Sequence, residues 1–385
     1  RPNINLTKSR IMSKIIILTV DGGGIKGIIP SYFLWQIEAA LNKSCYKMFD
    51  IIGGTSTGGI IATALSSPIN GTQPYTANEI YNIYTSDGSQ IFVSQDSIIP
   101  DYYALYYAND GNGNGVECFL QQKYGTYSLN DARQNMQNLP DSRTKHVFTT
   151  CYTVNSSGNN IPNPTLGLDY GPYLFNWYDA VKSENDYLVW EAARATSAAP
   201  TYFPVAKLGG GNAPNSSANE RWALDGGVMS NNPAVWAVSE AFRTGLASQL
   251  SDIILISLGT GSYPSGAGLV TDQTKISDPD YGNWGFTPWL VSDLDDLSGT
   301  ENGRGAIVNI ITESVQLVSS QQLSGLQNSG LTYFRLEPSI TREQSKMDNI
   351  SQSNVDSLID TATNYLNNDG SAVFQQIINT LKENT

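Results

Sequence analysis

Charge is scarce in this 385-residue chain: Asp, Glu, Lys and Arg together make up only 15% of it. What charge there is leans acidic, with 22 Lys and Arg against 35 Asp and Glu and a net charge of −13. A nucleic-acid partner needs a basic face, and anionic membranes attract basic segments, so the balance speaks against both. Cysteine is nearly absent. Cys45, Cys118 and Cys151 are an odd number, their spacings fit no zinc pattern, and His146 is the lone histidine. A disulfide framework, a structural metal and a bound cofactor are therefore not expected. Long apolar runs are missing too. Ile15–Val20 falls far short of the ~20 residues of a membrane span. Arg1–Lys14 carries four basic side chains and no acidic one, but no apolar stretch of signal-peptide length follows. Met12 could be a native start. The expectation is a soluble protein, cytoplasmic or secreted without a visible leader, acting at membrane surfaces.

Apolar residues are plentiful at 40%, with 10% aromatics, so a full core is available. Ile15–Val20 (IIILTV) is a continuous β-rich run, which predicts a strand buried on both faces of a parallel sheet. A glycine turn follows, then a helix with Pro30 at its first position and Phe33, Leu34, Ile37 and Leu41 on one face. Met48–Ile52 predicts a second strand closed by Gly53-Gly54, and Ile60–Leu65 a second helix. Further on, helices are expected at Ala77–Tyr84 and Leu188–Ser197. Strands are expected at Val147–Val154, Trp222–Leu224 and Ile253–Leu258. Tyr102–Gly115 and Leu208–Asn219 read as loops. Asn231-Asn232-Pro233 opens a helix to about Arg243, with Gly245 as its stop. A helix near Ala306–Leu323, a strand near Leu331–Leu336 and two helices over Asn354–Lys382 complete the chain. This alternation predicts an α/β fold of three α/β/α layers around a mainly parallel sheet. The main domain is expected over 15–340, with C-terminal helices at 341–385 packed on it.

Three segments carry chemistry. Gly22-Gly23-Gly24-Ile25-Lys26-Gly27 matches G-x-G-x-x-G between a strand and a helix, and Asp50 follows at a spacing suited to a ribose contact. The same backbone N–H groups serve a phosphate or an oxyanion equally well. Gly54-Thr55-Ser56-Thr57-Gly58 matches G-x-S-x-G between a strand and a helix, the setting of a nucleophile elbow. A serine hydroxyl needs a base. No histidine follows to complete the usual Ser, acid, His order, and position 59 is Gly, so no Ser-x-x-Lys pair exists. A strand-edge role suits His146, and a carboxylate is the better candidate base. Asp225 in Asp225-Gly226-Gly227 is the best placed, at the end of a strand, although a turn aspartate is the plain alternative. Glu191 is the next carboxylate to test.

Asp21–Gly27 (DGGGIKG), Gly54–Gly58 (GTSTG) and Asp225–Gly227 (DGG), in this order, resemble the patatin-like phospholipases. Ala195–Pro204 (ATSAAPTYFP), Asn231-Asn232-Pro233 and Leu258–Gly261 (LGTG) fit the same family. The matching blocks span about residues 15–261. The resemblance implies a Ser–Asp dyad with Ser56 as nucleophile, Asp225 as base and the Gly22, Gly23 and Gly24 amides as oxyanion hole. Lys26 stands where many members carry Arg. It keeps the charge and loses the bidentate fork.

The resulting expectation is a lipid acyl hydrolase of phospholipase A or lysophospholipase type, working through an acyl-enzyme. A Rossmann-type nucleotide binder and a catalytically silent lipid-binding or storage protein on the same fold are the alternatives. Two aromatic clusters, Tyr102, Tyr103, Tyr106, Tyr107 and Trp284, Phe286, Trp289, Leu290, suit a lipid cleft or peripheral membrane contact, or plain surface packing.

Overall fold

The apolar run Ile15–Val20 forms β1, buried from end to end. It is flanked in parallel by Ile51–Thr55 (β2) on one side and Ile253–Leu258 (β7) on the other. With both ladders satisfied and both faces covered, apolar residues are favoured on either side, which is why the run shows no alternation; Thr19 is its one polar residue. A computed structural model of the chain describes residues 14–68, 71–95, 104–156, 170–209, 220–263 and 306–385. The loop expected at Leu208–Asn219 and the Trp284–Leu290 cluster lie partly or wholly outside these residues.

The remaining strands are His146–Ser156 (β3), Gly171–Asn176 (β4), Ala206–Leu208 (β5), Arg221–Asp225 (β6) and Thr332–Leu336 (β8). The sheet runs β5-β6-β3-β2-β1-β7-β8, with β4 paired to β3. It is parallel from β3 to β8 and antiparallel where β3 meets β4 and β6 and where β5 meets β6. Helices cover both faces. The alternate residues Ile16, Leu18 and Val20 pack under Ile28–Leu41 (α1), Thr57–Ala64 (α2), Ala77–Ser86 (α3), and the C-terminal helices Gln352–Asn367 and Ser371–Asn384. Ile15 and Ile17 face the second layer, formed by Ala234–Arg243 and Ala306–Gln327. The two-residue period of a strand splits one apolar run between two cores.

Strand β3 positions the site. Its residues His146–Thr150 pair with β2, and Cys151–Ser156 pair with β6. Strand β4 pairs with Phe148–Thr153 and so occupies the opposite edge. Strands β2 and β6 therefore share one edge of β3 and run towards each other. Thr55 ends opposite Thr150 and Asp225 ends opposite Cys151, so two strand ends distant in sequence abut head to head.

Several boundaries differ from expectation. Strand β2 starts three residues later and runs through Gly53 and Gly54, because Met48 closes a short turn over Cys45–Lys47. The Phe148 ring covers Gly53, so closely that a Cβ there would lie 2.3 Å from it. Pro30 is the third residue of α1, still within the first turn, where no intrahelical donor is required. Among the elements without an expectation are β4, β5, Val116–Tyr124 (a helix packed on Val189–Thr196) and Leu129–Asn138.

Candidate active site

Ser56 is the hinge between β2 and α2. Its backbone sits at φ 54°, ψ −124°, a left-handed conformation that a side chain rarely takes without support. The turn is tight because its glycines touch: a Cβ at Gly54 would lie 2.0 Å from the Gly58 carbonyl oxygen, and one at Gly58 2.0 Å from that of Val20. The G-x-S-x-G spacing thus reflects backbone on backbone.

The Ser56 Oγ donates to Asp225 Oδ2 at 2.6 Å. Asp225 Oδ1 accepts the Gly227 N–H at 2.6 Å. Both carboxylate oxygens therefore have a donor, and the side chain cannot rotate without losing one. Burial pushes the Asp225 carboxyl up to about 7, against the opposing pull of the Ser56 hydroxyl, the Gly227 amide and the Arg194 charge. A carboxyl near neutrality accepts a proton far more readily than one at its ordinary value of ~3.9.

The Asp21–Gly27 loop lies against the serine, since a Cβ at Gly22 would come within 3.1 Å of Ser56 Cβ. The amides expected in the oxyanion hole are those of Gly22, Gly23 and Gly24. The Gly22 N–H is already donated to the Asn231 carbonyl at 3.1 Å, while those of Gly23 and Gly24 have no acceptor among the described residues. Gly24 is at φ 60°, and a Cβ on it would lie 2.2 Å from the Met347 oxygen. The loop is held from several sides. Thr260 Oγ1 donates to the Gly22 carbonyl at 2.6 Å, Asp21 N–H to Leu258 O at 3.0 Å, and Ile25 N–H to Met347 O at 2.8 Å. Buried Asp21 is gripped by both ends of the Arg335 guanidinium, at 3.0 and 2.5 Å, and Arg335 also binds Glu337 and Ser257. Lys26 is half-buried. Desolvation lowers its pKa, and Glu337 and Asp21 oppose that.

An apolar cavity of about 50 Å³ opens beside Ser56, lined among others by Ile25, Ile60, Ile91, Phe92, Phe203 and Met347. Phe92, Tyr106 and Phe203 form a triangle of rings 5.3 to 5.7 Å apart. Tyr106 is half-buried, with its hydroxyl donating to Asp348 at 2.7 Å, while Tyr102 and Tyr103 of the same cluster lie outside the described residues.

Three other sequence candidates are engaged elsewhere. Asp50 precedes β2 at the opposite end of the sheet from the glycine loop, and its carboxylate is bound by Arg143 at 2.8 Å and Lys145 at 3.0 Å. It is therefore not placed to meet a ribose at the Gly22–Gly27 turn. His146 opens β3 at that same distant end, buried on the Glu240 carboxylate at 2.9 Å and on the Phe148 ring. Glu191 uses its two oxygens to accept the Leu188 and Gly209 N–H groups at 3.0 and 2.7 Å, a helix-capping role. Sequence reasoning did not find Arg194, Arg335 or Met347, which act only through tertiary contacts.

A family model described as patatin-like phospholipase matches residues 18–238. "Patatin-like protein 2" of Arabidopsis thaliana is 29% identical over 72% of this chain and 66% of its own length. "Patatin group D-2" of Solanum tuberosum is 27% identical over 94% of this chain and 86% of its own. Among solved structures, VipD from Legionella pneumophila aligns at 11% identity over 92% of this chain and 67% of that one, with a TM-score of 0.34.

Proposed function

The chain belongs to the patatin-like phospholipase family, and from that membership we propose that it is a lipid acyl hydrolase cleaving fatty acyl esters of phospholipids or lysophospholipids through a Ser56–Asp225 dyad. The observation that carries this reading is the 2.6 Å hydrogen bond from Ser56 Oγ to a buried, near-neutral carboxylate beside an apolar cavity.

In the proposed reaction Asp225 Oδ2 takes the Ser56 proton as Oγ attacks the ester carbonyl. The Gly23 and Gly24 N–H groups receive the negative charge that develops on the carbonyl oxygen. The protonated Asp225 then gives its proton to the leaving alcohol, which departs and leaves Ser56 acylated. Water enters and attacks the acyl carbon as it gives a proton to Asp225; the bond to Ser56 Oγ then breaks, Asp225 returns that proton to Oγ, and the fatty acid leaves. Lys26 supplies nearby positive charge for a phosphate head group. The cavity beside Ser56 is small and apolar, so a short acyl chain is the first substrate to try.

The test is turnover of p-nitrophenyl butyrate, followed by phosphatidylcholine and lysophosphatidylcholine vesicles, with Ser56→Ala as control. The expected result is hydrolysis by the wild type and loss of nearly all of it in Ser56→Ala, which should fold normally. Retention of wild-type turnover by that variant would remove Ser56 from the reaction. Lipid binding without any hydrolysis would instead favour the silent lipid-binding alternative.

A further inference from the structure

The two residues of the proposed dyad stand at the ends of different strands, and one residue of a third element binds the main chain of Ser56 and of Gly226, the residue after Asp225. Thr196 ends the helix Val189–Thr196 and is completely buried. Its Oγ1 accepts the Ser56 N–H at 2.8 Å. Its carbonyl accepts the Gly226 N–H at 3.3 Å, directly after Asp225, and the Asp225 N–H goes to Ala198 O at 3.0 Å on the same turn. Its methyl lies against the first turn of α2, where a Cβ at Gly59 would be 2.5 Å from Thr196 Cγ2.

We propose that Thr196 is a positioning residue, whose hydroxyl holds Ser56 in its left-handed conformation at the correct distance from Asp225. This rests on the reading of Ser56 and Asp225 as nucleophile and base. Three facts point the same way. Ser56 needs external support at φ 54°, and its N–H precedes the helix and has no helical acceptor. The hydroxyl is the one side-chain contact among the bonds that tie this turn to the pair, so it is the one that substitution can remove alone. Thr196 touches no solvent and does not line the cavity, so loss of its hydroxyl should change the serine's geometry and leave the substrate's seat intact.

Thr196→Val deletes the acceptor at nearly constant shape, and Thr196→Ser keeps it while deleting the methyl. Both are read with p-nitrophenyl butyrate for kcat and KM, and with a fluorophosphonate probe for the labelling rate of Ser56. The expected result for Thr196→Val is a fall in kcat of about 10- to 100-fold, a KM within threefold, and a parallel fall in labelling, as for a nucleophile displaced by a fraction of an ångström. Thr196→Ser should stay within threefold of wild type on every measure. A Thr196→Val enzyme within threefold in kcat overturns the proposal. So does a Thr196→Ser enzyme as impaired as Thr196→Val, since packing of the methyl would then be the cause. Should Thr196→Val fail to fold by near-UV circular dichroism, Thr196→Ala is read by the same criteria. Ser56→Ala separates the two levels: if it keeps turnover, the dyad reading falls, whereas loss in Ser56→Ala with an unaffected Thr196→Val removes only the role of Thr196.

Discussion

At the scale of single residues, the proposed role of Asp225 as base is joined to a cost in stability. Its folded pKa of about 7 lies above the ordinary carboxylate value, because burial disfavours the charged form. The folded chain therefore holds a proton that the unfolded chain sheds near 4. Its contribution to stability is complete below about pH 4 and is lost as pH rises through 7. Asp225→Asn should abolish turnover, because an amide cannot accept the serine proton, and should raise the thermal midpoint more at pH 8 than at pH 5. A midpoint gain no larger at pH 8 than at pH 5 would contradict the raised pKa. In the wild type, kcat/KM should climb as pH rises through about 7. Arg194 is the cation that opposes this shift, and burial lowers its own pKa to about 10. Arg194→Met should therefore move the acid limb of the pH profile upward, which a titration of kcat/KM would read directly. His146, at the far end of β3, makes a useful contrast: His146→Gln should leave turnover within a few-fold.

At the scale of elements, β8 shows how a strand with no catalytic side chain supports the site. Arg335 crosses β7 to hold Asp21, the first residue of the glycine loop. Arg335→Met would leave a fully buried carboxylate without its cation, and removing one partner of a buried pair typically costs about 3–5 kcal/mol. The expectation is a marked drop in the urea midpoint, together with weaker turnover; an unchanged midpoint would show the pair to be dispensable. The elements also show what a sequence reveals. Strands β1 and β7 were legible at their observed limits, because a run buried on both faces has no competing pattern. The Ser56 turn and Asp225 were legible because their glycines are required by close backbone contact. Strand β4 (GPYLFN) was not, since it opens with Gly-Pro and pairs antiparallel beside a strand of parallel context. The helix Leu129–Asn138 was missed because only Leu129, Ala132 and Met136 are buried on it. Its Ser128–Asp131 capping box was a signal that could have found it. Thr196 lay inside a recognised block, yet nothing in the sequence says that its hydroxyl reaches Ser56.

At the scale of the whole molecule, the C-terminal helices share the main core. Leu358, Ala362, Ile377, Ile378 and Leu381 join the cluster built on β1 and α1. Met347, from the same end of the chain, forms part of the cavity wall. A chain cut after residue 340 should accordingly fail to fold or aggregate, as judged by size-exclusion chromatography, and not survive as a smaller enzyme. Among the described residues no cluster of His, Cys, Asp and Glu is arranged to hold a metal, and no helix is long and apolar enough to cross a membrane. The proposed Ser56–Asp225 chemistry passes its proton through the carboxylate, so turnover should persist in EDTA, and a loss restored by added Ca²⁺ or Zn²⁺ would contradict it.

The head-to-head meeting of β2 and β6 on one edge of β3 has a consequence for how much the molecule tolerates change in length. The pairing of β3 with β6 slips at a bulge between Thr153 and Asn155, on the side away from the site. A bulge of this kind works as an expansion joint. Residues added after Ser156 or before Arg221 can alter the outer pairs, Asn155 with Trp222 and Ser156 with Arg221, while Cys151 keeps Asp225 opposite. Two- or three-residue insertions there should leave turnover of p-nitrophenyl butyrate near wild type. A single residue inserted between Thr150 and Cys151, inside the joint, should separate the two strand ends and extinguish it.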